Sequence, residues 1–346
     1  MTIAWTTGEP VVGTVEYGLD TLYGAVAGGP AATREHVVTL TELSAGTAYH
    51  YRLLLDGVPV EGDHVFETFP SEPESPFRFA VFADGGTGGA AQRQVAAQIA
   101  ASSAALVLIA GDVVYSYGTA AEITAHYFKP YAGLIDRSVF YPVLGNHDVR
   151  TQNGKPLLDA VYLPTNDSDG TERFFSFDYA NAHFVGLDSC SDLSSGSLQR
   201  AWLDSDLSTS AAAWKFVYLH RPPFSSSYHG SSMDLRASLE PIFDKHHVDI
   251  VFAGHDHDYE RTYPLASAVV VGADEDPNYS SPAGVVYIVT GGGGDTLYAS
   301  GASYFTAFSK SVFHFVQVDI EGLRLELRAI RTDGSTLDQM TITKTP

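Results

Sequence analysis

Oxygen and imidazole donors follow several apolar runs of this sequence. Carboxylate, phenol, amide and imidazole donors without a thiolate argue against a structural zinc site of the cysteine type. They favour a hydrolytic centre that holds two adjacent ions of iron, zinc or manganese. The seven candidate ligands are Asp84, Asp112, Tyr115, Asn146, His220, His255 and His257.

The apolar runs before these residues have the composition of buried strands. They cover residues 77–83, 106–111, 139–145, 216–219 and 248–254. Helix-prone segments separate them, at residues 91–105, 120–134, 197–207 and 235–247. Strands that alternate with helices form largely parallel sheets, and such sheets bind ligands beyond the carboxyl ends of their strands. We therefore expect an α/β domain in which the strand ends bring the candidate ligands together.

Each motif also has a structural interpretation when it is taken alone. An Asp after a strand and a glycine, as in Gly111-Asp112, is usually a turn or a helix cap. Gly254-His255-Asp256-His257 could equally be an exposed polar loop, although burying two imidazoles and two carboxyls would require protons or a metal. The joint occurrence of these motifs at strand ends favours the metal centre.

Five blocks of the sequence resemble the motifs of the purple acid phosphatases, a subgroup of the calcineurin-like metallophosphoesterases. Gly86 stands where most metallophosphoesterases have a histidine, and Tyr115 follows the second aspartate, as in the purple subgroup. The resemblance extends from about residue 77 to the end of the chain. The blocks are Asp84-Gly85-Gly86, Gly111-Asp112-Val113-Val114-Tyr115, Gly145-Asn146-His147-Asp148, Val217-Tyr218-Leu219-His220 and Gly254-His255-Asp256-His257.

The resemblance implies a four-layer α/β-β/α sandwich with a dinuclear centre of iron(III) and a divalent ion, which is zinc, iron or manganese. Asp112 would bridge the two ions. It also implies an acid phosphatase that cleaves phosphate monoesters by attack of a metal-held hydroxide. The other implied ligands are Asp84, Tyr115 and His257 on the first ion, and Asn146, His220 and His255 on the second.

The same resemblance assigns catalytic and substrate-binding roles outside the ligand set. His147 and His229 match the outer-sphere histidines, which act on the substrate and protonate the leaving oxygen. Arg221 is a further candidate for phosphate binding, or it pairs with an acidic neighbour. A surface loop position is the alternative interpretation of His229.

Two other functions remain open at this point. The same centre could act on phosphodiesters, nucleotides or phytate, because substrate choice depends on loops without a decisive pattern. A surface binding protein with a degenerate phosphatase fold is the less favoured alternative, since all seven ligand positions are filled.

Residues 1–70 lack helical periodicity and are predicted to form a small all-β sandwich that resembles a fibronectin type III domain. Asp56-Gly57 predicts a hairpin turn, and Tyr49 would be the corner tyrosine that hydrogen-bonds to the backbone. The first strand of such a domain is expected to be missing, or its sheet edge is protected in another way. Residues 71–76 are predicted to be a linker, and residues 77–346 the catalytic domain.

Composition limits the possible partners. The formal charge of −21 at pH 7 opposes nucleic-acid binding, so small phosphorylated substrates are expected to bind through the metals. No apolar stretch is long enough to predict a membrane span, and the start of the chain lacks the pattern of a signal peptide. Because the resembled family is largely secreted or periplasmic, we expect a mature protein outside the cytoplasm. Nothing in the sequence indicates an oligomeric state.

Overall fold

The computed structural model describes residues 1–60, 62–167, 170–272 and 276–345. The chain divides into two compact units. The N-terminal unit contains Met1–Pro73 with Gly133–Ser138, and the catalytic unit contains Glu74–Ala132 with Val139–Pro346. Among the described residues, no helix has both the length and the apolar character that a membrane crossing requires.

The N-terminal unit contains a five-stranded sheet in which β1 pairs with β2 and β3, and β3 also pairs with β4 and β5. Asp56 and Gly57 have positive φ angles between β3 and β4, which is the turn that the sequence predicts. Tyr49 accepts a hydrogen bond from the Ser44 amide at 3.0 Å, which is the contact expected of a corner tyrosine. The strands are β1 Thr2–Gly18, β2 Ala25–Thr39, β3 Ala48–Leu55, β4 Val58–Pro59 and β5 His64–Glu67.

The catalytic unit is built on two seven-stranded sheets and a two-stranded one. The first sheet has the order β16-β21-β20-β19-β6-β7-β8, and the second has the order β18-β13-β17-β12-β11-β10-β9. Their strands, with the β14–β15 pair, are β6 Phe77–Phe82, β7 Leu106–Ile109, β8 Val139–Pro142, β9 Phe175–Tyr179, β10 Ala182–Gly186, β11 Trp214–Leu219, β12 Ile250–Ala253, β13 Tyr259–Thr262, β14 Leu265–Ala266, β15 Val269–Val270, β16 Asn278–Ser280, β17 Val286–Thr290, β18 Thr306–Lys310, β19 His314–Glu321, β20 Arg324–Arg331 and β21 Thr336–Thr343.

Parallel pairing occurs towards both edges of the first sheet, including the β16–β21 pair, and in the centre of the second. In the first sheet β6, β7 and β8 are parallel, and in the second β10, β11, β12 and β17 are parallel. The five predicted strands are all present, and they are divided between the two sheets. β19 and β20 form an antiparallel hairpin, and β21 extends it with a third strand.

The helices begin close to where the sequence predicts them. Ser197 caps α5 by accepting the Arg200 amide. Thr119 and Glu122 form a capping box at α2. The carboxylate of Glu122 also accepts the amide of Ser116, so it fixes the segment that follows Tyr115. The helices are α1 Ala90–Ser102, α2 Ala120–Glu122, the π-helical Ile123–Phe128, α3 Lys129–Ile135, the 3-10 turns Asp148–Arg150 and Gln152–Gly154, α4 Lys155–Leu158, α5 Leu198–Thr209 and α6 Met233–Lys245.

Aromatic side chains fill the space between the two large sheets. The ring of Phe79 on β6 lies 5.1 Å from the rings of Phe184 on β10 and Phe216 on β11. Leu203 of α5 and Leu239 of α6 are buried in one core cluster with Val217 of the second sheet. Helix α1 packs on β19 and β20 of the first sheet. The catalytic unit is therefore a layered α/β-β/α sandwich, as predicted.

Candidate metal centre

Both sheets deliver candidate ligands from the ends of their strands. Asp84 lies two residues after β6, and His220 follows β11 directly. A buried apolar strand fixes where the backbone leaves the sheet, so the polar residue after it has a defined position. The structure brings the seven predicted ligands together as two contacting groups of three, with Asp112 between the groups.

The first group contains Asp84, Tyr115 and His257. The Tyr115 hydroxyl donates to Asp84 Oδ1 at 2.9 Å and lies 3.2 Å from His257 Nε2. His257 Nε2 is 3.5 Å from the same Asp84 oxygen. The reactive atoms of all three side chains therefore face one another.

The second group contains Asn146, His220 and His255. His220 Nε2 lies 2.9 Å from Asn146 Oδ1 and 3.5 Å from Asp112 Oδ2, and the rings of His220 and His255 are 5.0 Å apart. Donor atoms of Asp84, Asp112 and His220 all lie within 4.8 Å of one another. Asp112 therefore lies between the two groups.

Three of the candidate ligands have a strained backbone. Asp84, Asp112 and His255 have φ angles of 59°, 46° and 69°, in the left-handed region that side chains rarely adopt. Such residues cost about 1–3 kcal/mol each and cluster at functional sites. A cost repeated at three clustered residues indicates that the fold is held to a functional geometry.

Two glycines allow the ligand loops to approach each other closely. A Cβ atom on Gly111, whose φ is +83°, would lie 2.6 Å from His220 Cβ. A Cβ atom on Gly86 would lie 1.9 Å from the carbonyl oxygen of Val113. The position where most metallophosphoesterases carry a histidine therefore has no room for a side chain here, and Tyr115 occupies the first group instead.

Backbone carbonyls orient two of the imidazoles. His220 Nδ1 lies 3.1 Å from the carbonyl oxygen of Ala110, and His257 Nδ1 lies 2.7 Å from that of Thr296. With a proton held on Nδ1, the Nε2 atom of each ring is directed at the cluster. This is the usual support of a metal-binding histidine.

Burial and mutual charge perturb the acidic ligands. Burial raises the pKa of Asp112 well above its ordinary value, and the negative charge of Asp84 adds to the effect. Burial also opposes the ionisation of Asp84, but the charge and hydrogen bond of His257 outweigh it and lower the pKa of this carboxyl. The phenol of Tyr115 has a strongly raised pKa because it is buried next to Asp84.

The imidazoles respond to the same surroundings. Burial lowers the pKa of His220, and burial with the nearby charge of His220 lowers the pKa of His255 to about 3. Burial acts in the same direction on His257, but the charge of Asp84 outweighs it and raises the pKa to about 9. His220 and His255 are thus kept neutral, which is the form that binds a metal.

The residues present fit a pair of cations. Asp84 and Asp112 are 0% and 2% exposed, and two buried carboxylates in one cluster require a positive charge or a proton. The donor set is hard oxygen and imidazole, which suits iron, zinc and manganese. A cation would stabilise the ionised forms of Asp112 and Tyr115, whose pKa values are raised without one.

The predicted outer-sphere histidines lie at the edge of the cluster. His147 Nε2 is 3.9 Å from Asp112 Oδ2, and the amide of His147 donates to Asp112 Oδ1 at 2.8 Å. The exposed ring of His229 stacks on His255 with a centroid distance of 4.1 Å. Arg221 follows His220 directly in the chain, and its amide donates to the Ser189 hydroxyl at 2.9 Å.

Sequence reasoning missed three residues that shape the site. Asp148 accepts the amides of Val113, Val114 and Gly145, and thereby ties the two ligand loops together. Burial and the charge of Asp112 raise the pKa of Asp148 to about 7.

Asp256 and Tyr298 support the opposite side. The Asp256 carboxylate accepts the amides of His229 and Gly230, and so fixes the loop that presents the His229 ring. Tyr298 stacks on His257 at 4.2 Å. Asp148 and Asp256 are visible in the sequence as carboxylates inside the ligand motifs, whereas nothing in the sequence singles out Tyr298.

Known proteins share this architecture. The family model described as calcineurin-like phosphoesterase matches residues 77–259. Purple acid phosphatase 23 of Arabidopsis thaliana is 27% identical over 301 residues, which cover 75% of this chain and 62% of that protein. The purple acid phosphatase of Glycine max is 28% identical over 285 residues, which cover 75% of this chain and 60% of that protein.

Solved structures show the same fold. The purple acid phosphatase from yellow lupin (Lupinus luteus) seeds superposes with a TM-score of 0.88 at 21% identity, over 99% of this chain and 72% of that one. PhoD superposes with a TM-score of 0.66 at 14% identity, over 97% of this chain and 83% of that one.

The chain spans about three-fifths of the length of these curated relatives, 62% and 60%. The family model covers more than half of the chain and contains every motif block quoted above. The family of these relatives implies a dinuclear metal centre, and a buried Asp84, Asp112 and His220 cluster is present. The chain belongs to the calcineurin-like phosphoesterase family, and its curated relatives include purple acid phosphatases.

Proposed function

We propose that this protein hydrolyses phosphate monoesters at a dinuclear centre. This is the activity that the names of its purple acid phosphatase relatives indicate. The observation that carries the proposal is the division of the seven donors into two contacting groups with Asp112 between them. Iron(III) would be held by the group with the phenol, and zinc, iron or manganese by the other. The ligands are Asp84, Tyr115 and His257 for iron(III), Asn146, His220 and His255 for the divalent ion, and Asp112 for both.

Such ions supply Lewis-acid polarisation of a phosphoryl oxygen and lower the pKa of water. The protein's own residues supply position and protons. Among the described residues the His229 ring has no hydrogen-bond partner, so its nitrogens are free to protonate the leaving oxygen. His147 and Arg221 would orient the phosphoryl group. Asp256 holds the His229 loop in place through its amides.

Two further statements belong to this proposal. The substrates are small phosphorylated molecules, because a chain of net charge −21 depends on local cations to attract an anion. The location is outside the cytoplasm, which rests on the resemblance to secreted and periplasmic phosphatases.

The test combines three measurements on the purified protein. Hydrolysis of p-nitrophenyl phosphate in mild acid should accompany about two metal ions per chain, with iron present. Tyr115→Phe should abolish the visible absorption band that a phenolate gives with iron(III). Tyr117→Phe is the matched control, because Tyr117 is 62% exposed and should leave the band unchanged.

Less than one metal ion per chain, with no turnover, would contradict the proposal and favour a binding protein with a phosphatase fold. A visible band that survives in Tyr115→Phe would contradict the assignment of the phenol to the iron site. Faster hydrolysis of a phosphodiester than of the matching monoester would favour the alternative function, a phosphodiesterase.

A further inference from the structure

Arg150 lies beside the cluster at the end of the 3-10 turn that follows Asn146. Its Nη1 donates to the carbonyl oxygen of Ser116 at 3.0 Å, and its Nη2 lies 3.2 Å from His147 Nε2. The side chain is exposed. A guanidinium carries five N–H donors, so several donors of Arg150 remain available to a ligand.

The charge of Arg150 has no acidic partner among the described residues. Some arginines of the catalytic unit pair closely with carboxylates, such as Arg78 with Asp319 at 2.6 Å and Arg173 with Asp188 at 2.7 Å, whereas others, such as Arg200, donate to backbone carbonyls. Arg150 is held instead by a carbonyl oxygen and an imidazole, which are neutral acceptors. The chain has 41 acidic and 20 basic residues, yet no protein carboxylate neutralises the charge of Arg150 within the described residues. This charge is therefore available to an anionic ligand.

His147 fixes where that charge lies. A guanidinium only donates hydrogen bonds, so His147 Nε2 accepts from Arg150 and the ring proton lies on Nδ1, which donates to Ser116 O at 3.0 Å. The same Nε2 is 3.9 Å from Asp112 Oδ2. One imidazole therefore separates the guanidinium from the residue at the centre of the cluster, within reach of a phosphoryl group bound there.

Building on the proposed function, we propose that Arg150 binds the phosphoryl group of the substrate and makes the site selective for monoesters over diesters. A monoester carries two negative charges near neutral pH, whereas a diester carries one. A fixed guanidinium attracts the dianion more strongly and can donate two hydrogen bonds to its oxygens. His147 is a positioning residue: it orients the phosphoryl group through Arg150, which its Nε2 holds in place.

The experiment compares Arg150→Met with the wild type on p-nitrophenyl phosphate and on its ethyl diester, which have the same leaving group. At about pH 7.5, where the monoester is a dianion, kcat/KM should fall roughly tenfold more for the monoester than for the diester. At about pH 4 the monoester is largely a monoanion, and the difference should shrink. Arg150→Lys should retain part of the selectivity, because it keeps the charge and loses the planar donors.

Arg34→Met is the matched control, since it removes the same charge from an exposed side chain of the N-terminal unit that pairs with Glu9. It should change neither rate. A second readout does not depend on turnover: calorimetry should show that Arg150→Met weakens inorganic phosphate binding roughly tenfold and leaves dimethyl phosphate binding unchanged. Metal content must be equal in all variants.

Equal losses on both esters, with unchanged phosphate affinity, would show that Arg150 has only a structural role and would overturn the inference. A wild type that hydrolyses neither ester would contradict the proposed function instead. In that case the phosphate titration still decides whether Arg150 binds the dianion, so the two failures are distinguishable.

Discussion

Two regions of the catalytic unit bring a buried histidine against aspartates, but they satisfy the ring nitrogens differently. His183 on β10 lies between Asp178 and Asp206, with Nδ1 at 2.7 Å from one carboxylate and Nε2 at 2.8 Å from the other. Asp206 also accepts the hydroxyl of Ser176. Both nitrogens of this ring already have a carboxylate partner, so the network has no lone pair for a metal.

The histidines of the candidate metal centre show the opposite arrangement. His220 donates a hydrogen bond from Nδ1 to the backbone carbonyl of Ala110, and its Nε2 faces Asn146 and Asp112. The carboxylates here are almost completely buried, whereas the Asp178 side chain is 73% exposed. Residue types alone do not separate an ion-pair network from a metal centre. Two structural features distinguish a metal centre from an ion-pair network. In the metal centre a backbone carbonyl accepts from the histidine Nδ1, which leaves Nε2 facing the cluster, and the carboxylates are buried together.

The largest expected effect compares Asp112→Asn with Asp206→Asn. Asp112→Asn should reduce turnover of p-nitrophenyl phosphate roughly 1,000-fold or more, a loss of about 4 kcal/mol of transition-state stabilisation. Asp206→Asn should leave turnover within a few-fold, because it only removes a partner of His183. Steady-state kinetics on both purified variants measures the contrast.

Without metal, the same two variants should show the opposite contrast in melting temperature. Asp112→Asn removes one of two buried carboxylates that repel each other, so the metal-free variant should melt no lower than the metal-free wild type. Asp206→Asn should melt lower, because it loses a charge-assisted hydrogen bond to a buried ring. If Asp112→Asn retained full turnover, the assignment of the central ligand would be wrong.

Removal of the metal should change the melting temperature by an intermediate amount, and it gives a further test of the difference between the two regions. A metal at 100 times its dissociation constant stabilises the folded state by about 2.7 kcal/mol, so chelation should lower the melting temperature of the wild type by several degrees. The Asp206→Asn variant should show the same shift, since the His183 network contains none of the candidate metal ligands. Asp112→Asn should show little or none. An equal shift in all three proteins would place the metal elsewhere.

Much of the site could be predicted from the sequence because its signals are local. A buried strand followed by a polar residue is visible in the chain itself, and the candidate ligands from Asp84 to His257 were predicted in this way. Helix starts such as Ser197 were also close, because capping is a local property.

The remaining features depend on contacts between distant segments. Asp148 stands next to His147 in the sequence, yet its role comes from the amides of Val113 and Val114 in another loop. The position of the Arg150 side chain depends in the same way on its hydrogen bond to Ser116, which lies in another loop. The division of the strands between two sheets and the addition of β21 follow from long-range packing, which no local pattern encodes.

The smallest expected effect tests the His183 network through its pH dependence. Burial opposes the charge on His183, but its hydrogen bonds to Asp206 and Asp178 outweigh burial and raise the pKa of the ring above its ordinary value. The folded protein therefore holds this proton more tightly than the unfolded chain does. The resulting stabilisation is fully present below the unfolded pKa of about 6.5 and is lost as the pH rises through the folded pKa.

His183→Gln should thus reduce the free energy of unfolding by roughly 1–3 kcal/mol at about pH 6 and by less at about pH 9. Urea titrations of metal-free protein at both pH values measure the difference. His247→Gln is the control, because His247 is exposed and should give the same small change at both. A His183→Gln effect that grew with pH would mean that the ring is neutral in the folded protein. The two regions would then differ less than their geometry indicates.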